Sequence, residues 1–277
     1  MAARLGFSQD DDQLVKNANA LLMDMFNDIV QVLQEDSSVF RFEDFSLDRI
    51  DIFSEPGPLD TKRIYMDQRY ALWLLDLNLI TGIWAIADLS NDDIQDLGDL
   101  FECQLQLWND LSNRANISDR MWPYYSRFPE IAALSASLMT AGIVFSLCHE
   151  IAHHSHSHFV QEQSREQEIE ADHTGYKHFL RVYSEPEKLN VARIDYQSLA
   201  SPCLSLAYIE MLERWMAKQA GAKEVLNTEF YPKASQRKYH LASAFDQEWT
   251  PESHHIYAGF SASLDELAKG LGIQDIH

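Results

Sequence analysis

At 277 residues, 46% hydrophobic and 23% charged, the chain can bury a sizeable core, as one large domain or as a catalytic domain with a helical extension. Lysine and arginine number 22 against 43 acidic residues, a formal net charge of −21 that repels phosphate backbones and anionic membrane surfaces and argues against nucleic acid as a partner. Three widely spaced cysteines (Cys103, Cys148, Cys203) imply no disulfide framework, and no apolar leader precedes Asp10-Asp11-Asp12, so the expected compartment is the cytoplasm.

Asp10 to Gln34 reads as an amphipathic helix, with Leu14, Ala18, Leu21, Leu22, Met25, Ile29 and Val32 at roughly helical spacing. The period then changes. Phe40 and Phe42 alternate, as do Ile50 and Ile52, which predicts two short strands followed by a turn at Pro56-Gly57-Pro58. Thr61 to Asp88 and Asn91 to Asn113 read as two long helices, with an N-cap in Leu89-Ser90-Asn91. Met121-Trp122-Pro123-Tyr124-Tyr125 and Pro129 mark an aromatic, proline-broken connection. This places a domain boundary near residue 125, between a mainly helical region (1–125), a candidate sensor or substrate-selecting part, and a second region (126–277) that can pack with it as one compact unit.

Pro129 to about His158 reads as a helix buried on all sides. Ile131 to Cys148 carries no charge and approaches the lower limit for a membrane span, but Ser135, Ser137, Thr140 and Ser146 interrupt it and basic anchors are absent. A further helix is expected over Gln163 to Tyr183, a polar loop over Ser184 to Arg193, and a helix over Gln197 to Ala220 ended by Gly221. Residues 222–261 read as mixed, with a short final helix from Leu264 to Leu271. The predicted class is mainly α with a small β-sheet.

Within the buried helix lies His149-Glu150-Ile151-Ala152-His153. Residues four apart share a helix face, so both imidazoles can grip one Zn²⁺ while Glu150, beside the remaining coordination position, takes a proton from a water there. Downstream, Glu168-Ile169-Glu170-Ala171-Asp172 offers Glu168 as third ligand and Asp172 as a carboxylate that orients a ligating histidine. Gly175 continues that face and removes bulk where two helices must approach closely. The pattern implies zinc-dependent hydrolysis of a protein or peptide substrate; Zn²⁺ is the commonest occupant of such a site. There is no phosphate-cradling Gly-rich loop, nucleophile elbow or Cys-x-x-Cys. His154, His156 and His158 invite a second metal site, although a polar, partly exposed helix end is the expected reading.

HExxH followed by Glu-x-x-Ala-Asp resembles the gluzincin metallopeptidases, in particular the group of the CAAX prenyl endopeptidases and HtpX-like proteases. That group carries a later His-Pro-x-x-x-x-Arg segment, and Tyr231-Pro232-Lys233-Ala234-Ser235-Gln236-Arg237 has its spacing. The resemblance covers Ala141 to Leu241. It implies a gluzincin-like core, His149, His153 and Glu168 as metal ligands, Glu150 as general base, Asp172 behind the ligands, and Arg237 near the site. Tyr231 stands where the family has histidine and is, with Arg237, a candidate for stabilising the oxyanion. The membrane spans common in the group are missing, and no alternating segment over residues 115–130 supplies the strand that aligns a substrate. Two alternatives stay open: a non-catalytic zinc-stabilised binding or regulatory domain with four protein ligands, drawing in Cys148 or an extra histidine, and a latent protease released by a stress or defence trigger. The sequence carries nothing on oligomeric state.

Overall fold

A computed structural model describes residues 11–35, 40–44, 50, 52–56, 61–67, 69–108, 114–160, 164–190, 194–225 and 232–276. Tyr231 lies outside the described residues. Helices dominate: α1 (Asp11–Leu33), α2 (Arg69–Ile86), α3 (Asn91–Leu107), α4 (Arg114–Arg127), α5 (Pro129–Ser155), α6 (Arg165–Ser184), α7 (Ser201–Gln219), α8 (Ala234–Phe245) and α9 (Pro251–Leu271). The strands β1 (Phe40–Asp44), β2 (Ile52–Pro56) and β3 (Lys62–Met66) form a sheet with β3 central, parallel to β1 and antiparallel to β2. The mainly α class with a small sheet is the one the sequence predicts.

Helix α5 is the axis of the molecule. Leu138, Met139, Ala141, Ile143, Val144 and Leu147 point in different directions around it and are all fully buried, as a helix apolar on every side must be. Among the described residues it alone is long and apolar enough to cross a membrane, and most of its apolar stretch is covered by the protein itself. α6 lies along α5, and α2 packs on it from another side. The sheet sits against the C-terminal end of α5, where His154 Nε2 lies 3.2 Å from the Arg63 carbonyl and its ring meets Phe40 edge-on. Buried apolar side chains run in one continuous cluster from Leu21 to Ile276.

Three sequence expectations need correction. Residues 62–66, read as the start of a helix, form the central strand. Ile64, Tyr65 and Met66 are all buried, so β3 lacks the in–out alternation that marks a half-exposed strand. Residues 114–127, read in part as a proline-broken connection, are helical with Pro123 inside. Ile117 and Met121 are buried there, and Tyr124 and Tyr125 donate to Asp96 (2.7 Å) and Asp76 (2.5 Å), contacts that offset the hydrogen bond proline removes. Residues 222–261 contain α8 and the first half of α9, which starts at Pro251 under a Thr250 cap and ends at the left-handed Gly272. The helix end at the histidine cluster is partly exposed, as the sequence suggests: Ser155 and Ser157 are exposed and His156 half-buried, while His154 and His158 are buried.

Candidate metal centre

Three helices meet at the site. α5 presents His149, Glu150 and His153, α6 presents Glu168 and Asp172, and α8 brings Arg237 from behind. α6 starts where it must. The Ser164 hydroxyl accepts from the Gln167 N–H and the Gln167 side chain accepts from the Ser164 N–H, a capping box that sets the phase placing Glu168 toward α5. The approach of the two helices depends on Gly175: a Cβ there would lie 2.8 Å from His149 Cα and 2.9 Å from its backbone nitrogen. The structure thus gives Gly175 the close-packing role read from its spacing.

His149 Nε2 and His153 Nε2 lie 3.1 Å apart. Glu168 places one carboxylate oxygen 3.6 Å from the first and the other 3.5 Å from the second. Zinc bonds of about 2.0–2.1 Å in tetrahedral geometry put neighbouring donors about 3.3 Å apart. The three donors therefore stand at the separations such an ion needs. The buried Glu168 Oε2 also has no hydrogen-bond partner, Arg237 Nη1 approaching it only to 3.5 Å, so acceptor capacity is left there for an ion. By donor type, spacing and this unsatisfied oxygen, the residues fit zinc.

Behind the donors, Asp172 Oδ1 lies 2.9 Å from His149 Nδ1. Arg237 donates to both oxygens of Asp172, at 2.8 and 2.7 Å, and its Nη1 lies 3.5 Å from Glu168. Burial opposes ionisation of Asp172, but Arg237 and His149 outweigh it and hold the carboxyl well below its usual range. Burial likewise opposes charge on His149; the Asp172 and Glu168 carboxylates reverse this and raise its pKa to about 10. His153 differs. Burial and the neighbouring His149 charge push it down to about 3, so its imidazole is neutral.

Glu150 faces a cleft of about 300 Å³ lined by Ile52, Phe53, Ser54, Pro56 and Phe159 together with His149, His153, His158, Gln167 and Glu168. The Ser54 hydroxyl donates to Glu150 Oε2 at 2.6 Å. Burial pushes the Glu150 carboxyl up, against the opposing pull of His149 and this hydrogen bond. The predicted residues His149, Glu150, His153, Glu168, Asp172 and Arg237 are thus brought together. The strand read from the Ile50 and Ile52 alternation is β2 (Ile52–Pro56); sequence reasoning missed that it carries Ser54 to Glu150, for which no local signal exists, and the fold-back of His158. Cys148 is buried, and its thiol, pushed up by burial, belongs to none of the groups of donors.

The fold and site thus define a helical protein with a two-histidine, one-carboxylate candidate donor group beside a cleft. The comparison with known families names the chemistry: the Peptidase U49 family model matches residues 81–258, more than half of the chain, and the chain belongs to that family. It is therefore a member of a peptidase family, and its substrate is protein or peptide. Neither the curated proteins nor the solved structures give a match.

Proposed function

We propose that this peptidase is a zinc-dependent metalloendopeptidase of the gluzincin type, akin to the CAAX prenyl endopeptidase and HtpX-like group. The observation that carries the reading is the convergence of His149, His153 and Glu168 at 3.1–3.6 Å beside the cleft-facing Glu150. A zinc ion held there supplies a Lewis acid for the scissile carbonyl and lowers the pKa of an attacking water toward about 7. Glu150, whose carboxyl is raised by burial, accepts the water's proton and delivers it to the leaving amine. Ser54 orients the carboxylate through its hydrogen bond to Oε2. Asp172 and Arg237 hold His149 and Glu168 in place, and the Arg237 charge, which is felt at Glu150, adds positive field for an oxyanion. Tyr231 remains our candidate for a direct oxyanion donor.

We assign substrate alignment to β2. It is an edge strand of the sheet, it lines the cleft, and Phe53, Ile52 and Pro56 give that wall an apolar character. It comes from residues 1–125, which supports treating that region as the substrate-selecting part and 126–277 as the metallopeptidase domain. Three free thiols agree with a reducing, cytoplasmic setting.

The test pairs metal content with cleavage. Glu150→Gln is expected to bind about one zinc per chain like the parent and to lose about 10²–10⁴-fold in peptide hydrolysis. Cleavage at the parent rate would sink the mechanism. A parent that takes up no zinc would sink the metal reading altogether.

A further inference from the structure

Two imidazoles that no motif pairs face each other behind the metal centre. At the end of α5, His156 closes the helix and Ser157 adopts a left-handed φ of 55°, turning the chain so that His158 folds back against the preceding turn. His158 Nδ1 then lies 2.9 Å from His153 Nδ1, and its other nitrogen, Nε2, lies 3.3 Å from Glu170 Oε2. His158 is 5% exposed. Its two ring nitrogens thus have one neighbour each.

The proton positions follow from the far end. A carboxylate only accepts, so a neutral His158 carries its proton on Nε2, toward Glu170. Its Nδ1 is then an acceptor, and the nitrogen facing it, His153 Nδ1, must be the donor. A neutral His153 protonated at Nδ1 has its lone pair on Nε2, the atom that faces His149 and Glu168 at the metal position. The other neutral tautomer would set a bare His158 Nε2 against a carboxylate, and a doubly protonated His158, which would make His153 Nδ1 the acceptor, is the arrangement the spectra below distinguish.

We propose that His158, anchored by Glu170, is a positioning residue that presets the tautomer and ring orientation of His153 for metal binding. This deepens the metallopeptidase reading and rests on it. The two ligand histidines then have separate supports, Asp172 with Arg237 for His149 and His158 with Glu170 for His153. The same assignment bears on the group His156, His158 and Glu170, whose donor atoms also lie close together. A cation on His158 Nε2 would move the proton to His158 Nδ1, where it would oppose the His153 Nδ1 proton across 2.9 Å. That group and the His149–His153–Glu168 site therefore do not hold cations independently.

Zinc stoichiometry and affinity, measured by chelator competition on the parent, His158→Ala, His158→Gln and His156→Ala, test the proposal together with nitrogen-15 imidazole spectra of the parent. The parent is expected to bind one zinc. His158→Ala should bind it about 10–100-fold more weakly, the usual cost of losing the partner that orients a ligand. His158→Gln, whose amide can accept from His153 and donate to Glu170, should recover most of the loss, and His156→Ala should bind like the parent. The spectra should show His153 protonated at Nδ1. Parent affinity in His158→Ala, or His153 protonated at Nε2, overturns the proposal while leaving the metallopeptidase reading intact. Two zinc ions bound with equal ease, the second lost in His156→Ala, overturn it as well. If the parent binds no zinc, the metallopeptidase reading fails and takes this proposal with it. The tautomer measurement decides the matter even where His158→Ala does not fold.

Discussion

The two histidines on the metal-facing side of α5 are backed in opposite ways. Behind His149 stands a buried charged pair: Asp172 and Arg237 are each under a tenth exposed, joined by two hydrogen bonds, and cut off from solvent. Behind His153 stands a second imidazole, His158, whose own anchor Glu170 is 55% exposed. The buried pair cannot lose one partner cheaply, because the remaining charge has no water to turn to. Glu170, already in solvent, loses little when its contact is removed. One support is built into the stability of the fold, and the other tunes a ligand at small structural cost.

Three substitutions test that contrast, beginning with the largest effect. Arg237→Ala removes both charge-assisted hydrogen bonds from the buried Asp172, leaving the carboxylate to His149, and is expected to cost about 3–5 kcal/mol of stability, read from the urea unfolding midpoint. A loss below about 1 kcal/mol would mean that water or another cation reaches Asp172, and the contrast would collapse. Gly175→Ala presses a methyl group into the backbone of His149, 2.8 Å from its Cα, and is expected to cost about 1–3 kcal/mol while displacing His149 from its partners. Zinc titration of this variant should show weakened binding; unchanged binding would show that α6 can retreat without disturbing the ligand. Glu170→Ala is expected to change stability by no more than about 0.5 kcal/mol, because its carboxylate is already in solvent. A larger loss would show that the His153 side also carries structural weight.

What the sequence made legible follows from how local each signal is. His149 and His153 share a face because they are four residues apart on one helix, and Glu168 and Asp172 do so on the next. Gly175 was legible for the same reason, being one further step along that face. Arg237 needed a spacing pattern rather than periodicity, and the structure seats it against Asp172. Ser54 stood outside such reasoning. It reaches Glu150 across 96 residues of chain, and nothing near Ser54 announces the pairing. Strand β3 was hidden by its own burial, since a central strand covered on both faces loses alternation and its apolar residues run on toward the apolar α2. The second half of α9 was read as a final helix over Leu264 to Leu271, while its first half was missed despite a proline at its first position, a signal that the mixed composition of residues 222–261 masked. His158 depends on one left-handed residue, Ser157, and serine rarely signals such a turn.

The position of Arg237 has a consequence for how the protein is made. A growing chain exposes the His-Glu-x-x-His segment long before residue 237, and Asp172 with it, yet the guanidinium that, with His149, allows Asp172 to be buried ionised is still to come. Until α8 emerges and docks, closing α6 onto α5 would enclose the Asp172 carboxylate with His149 alone and without its two guanidinium hydrogen bonds, which the energetics resist. Assembly of the centre is thus deferred until α8 has been made, and a nascent chain that ends before it would hold the motif without its finished geometry. For a protein that hydrolyses other proteins, that ordering is a safeguard written into the succession of its helices.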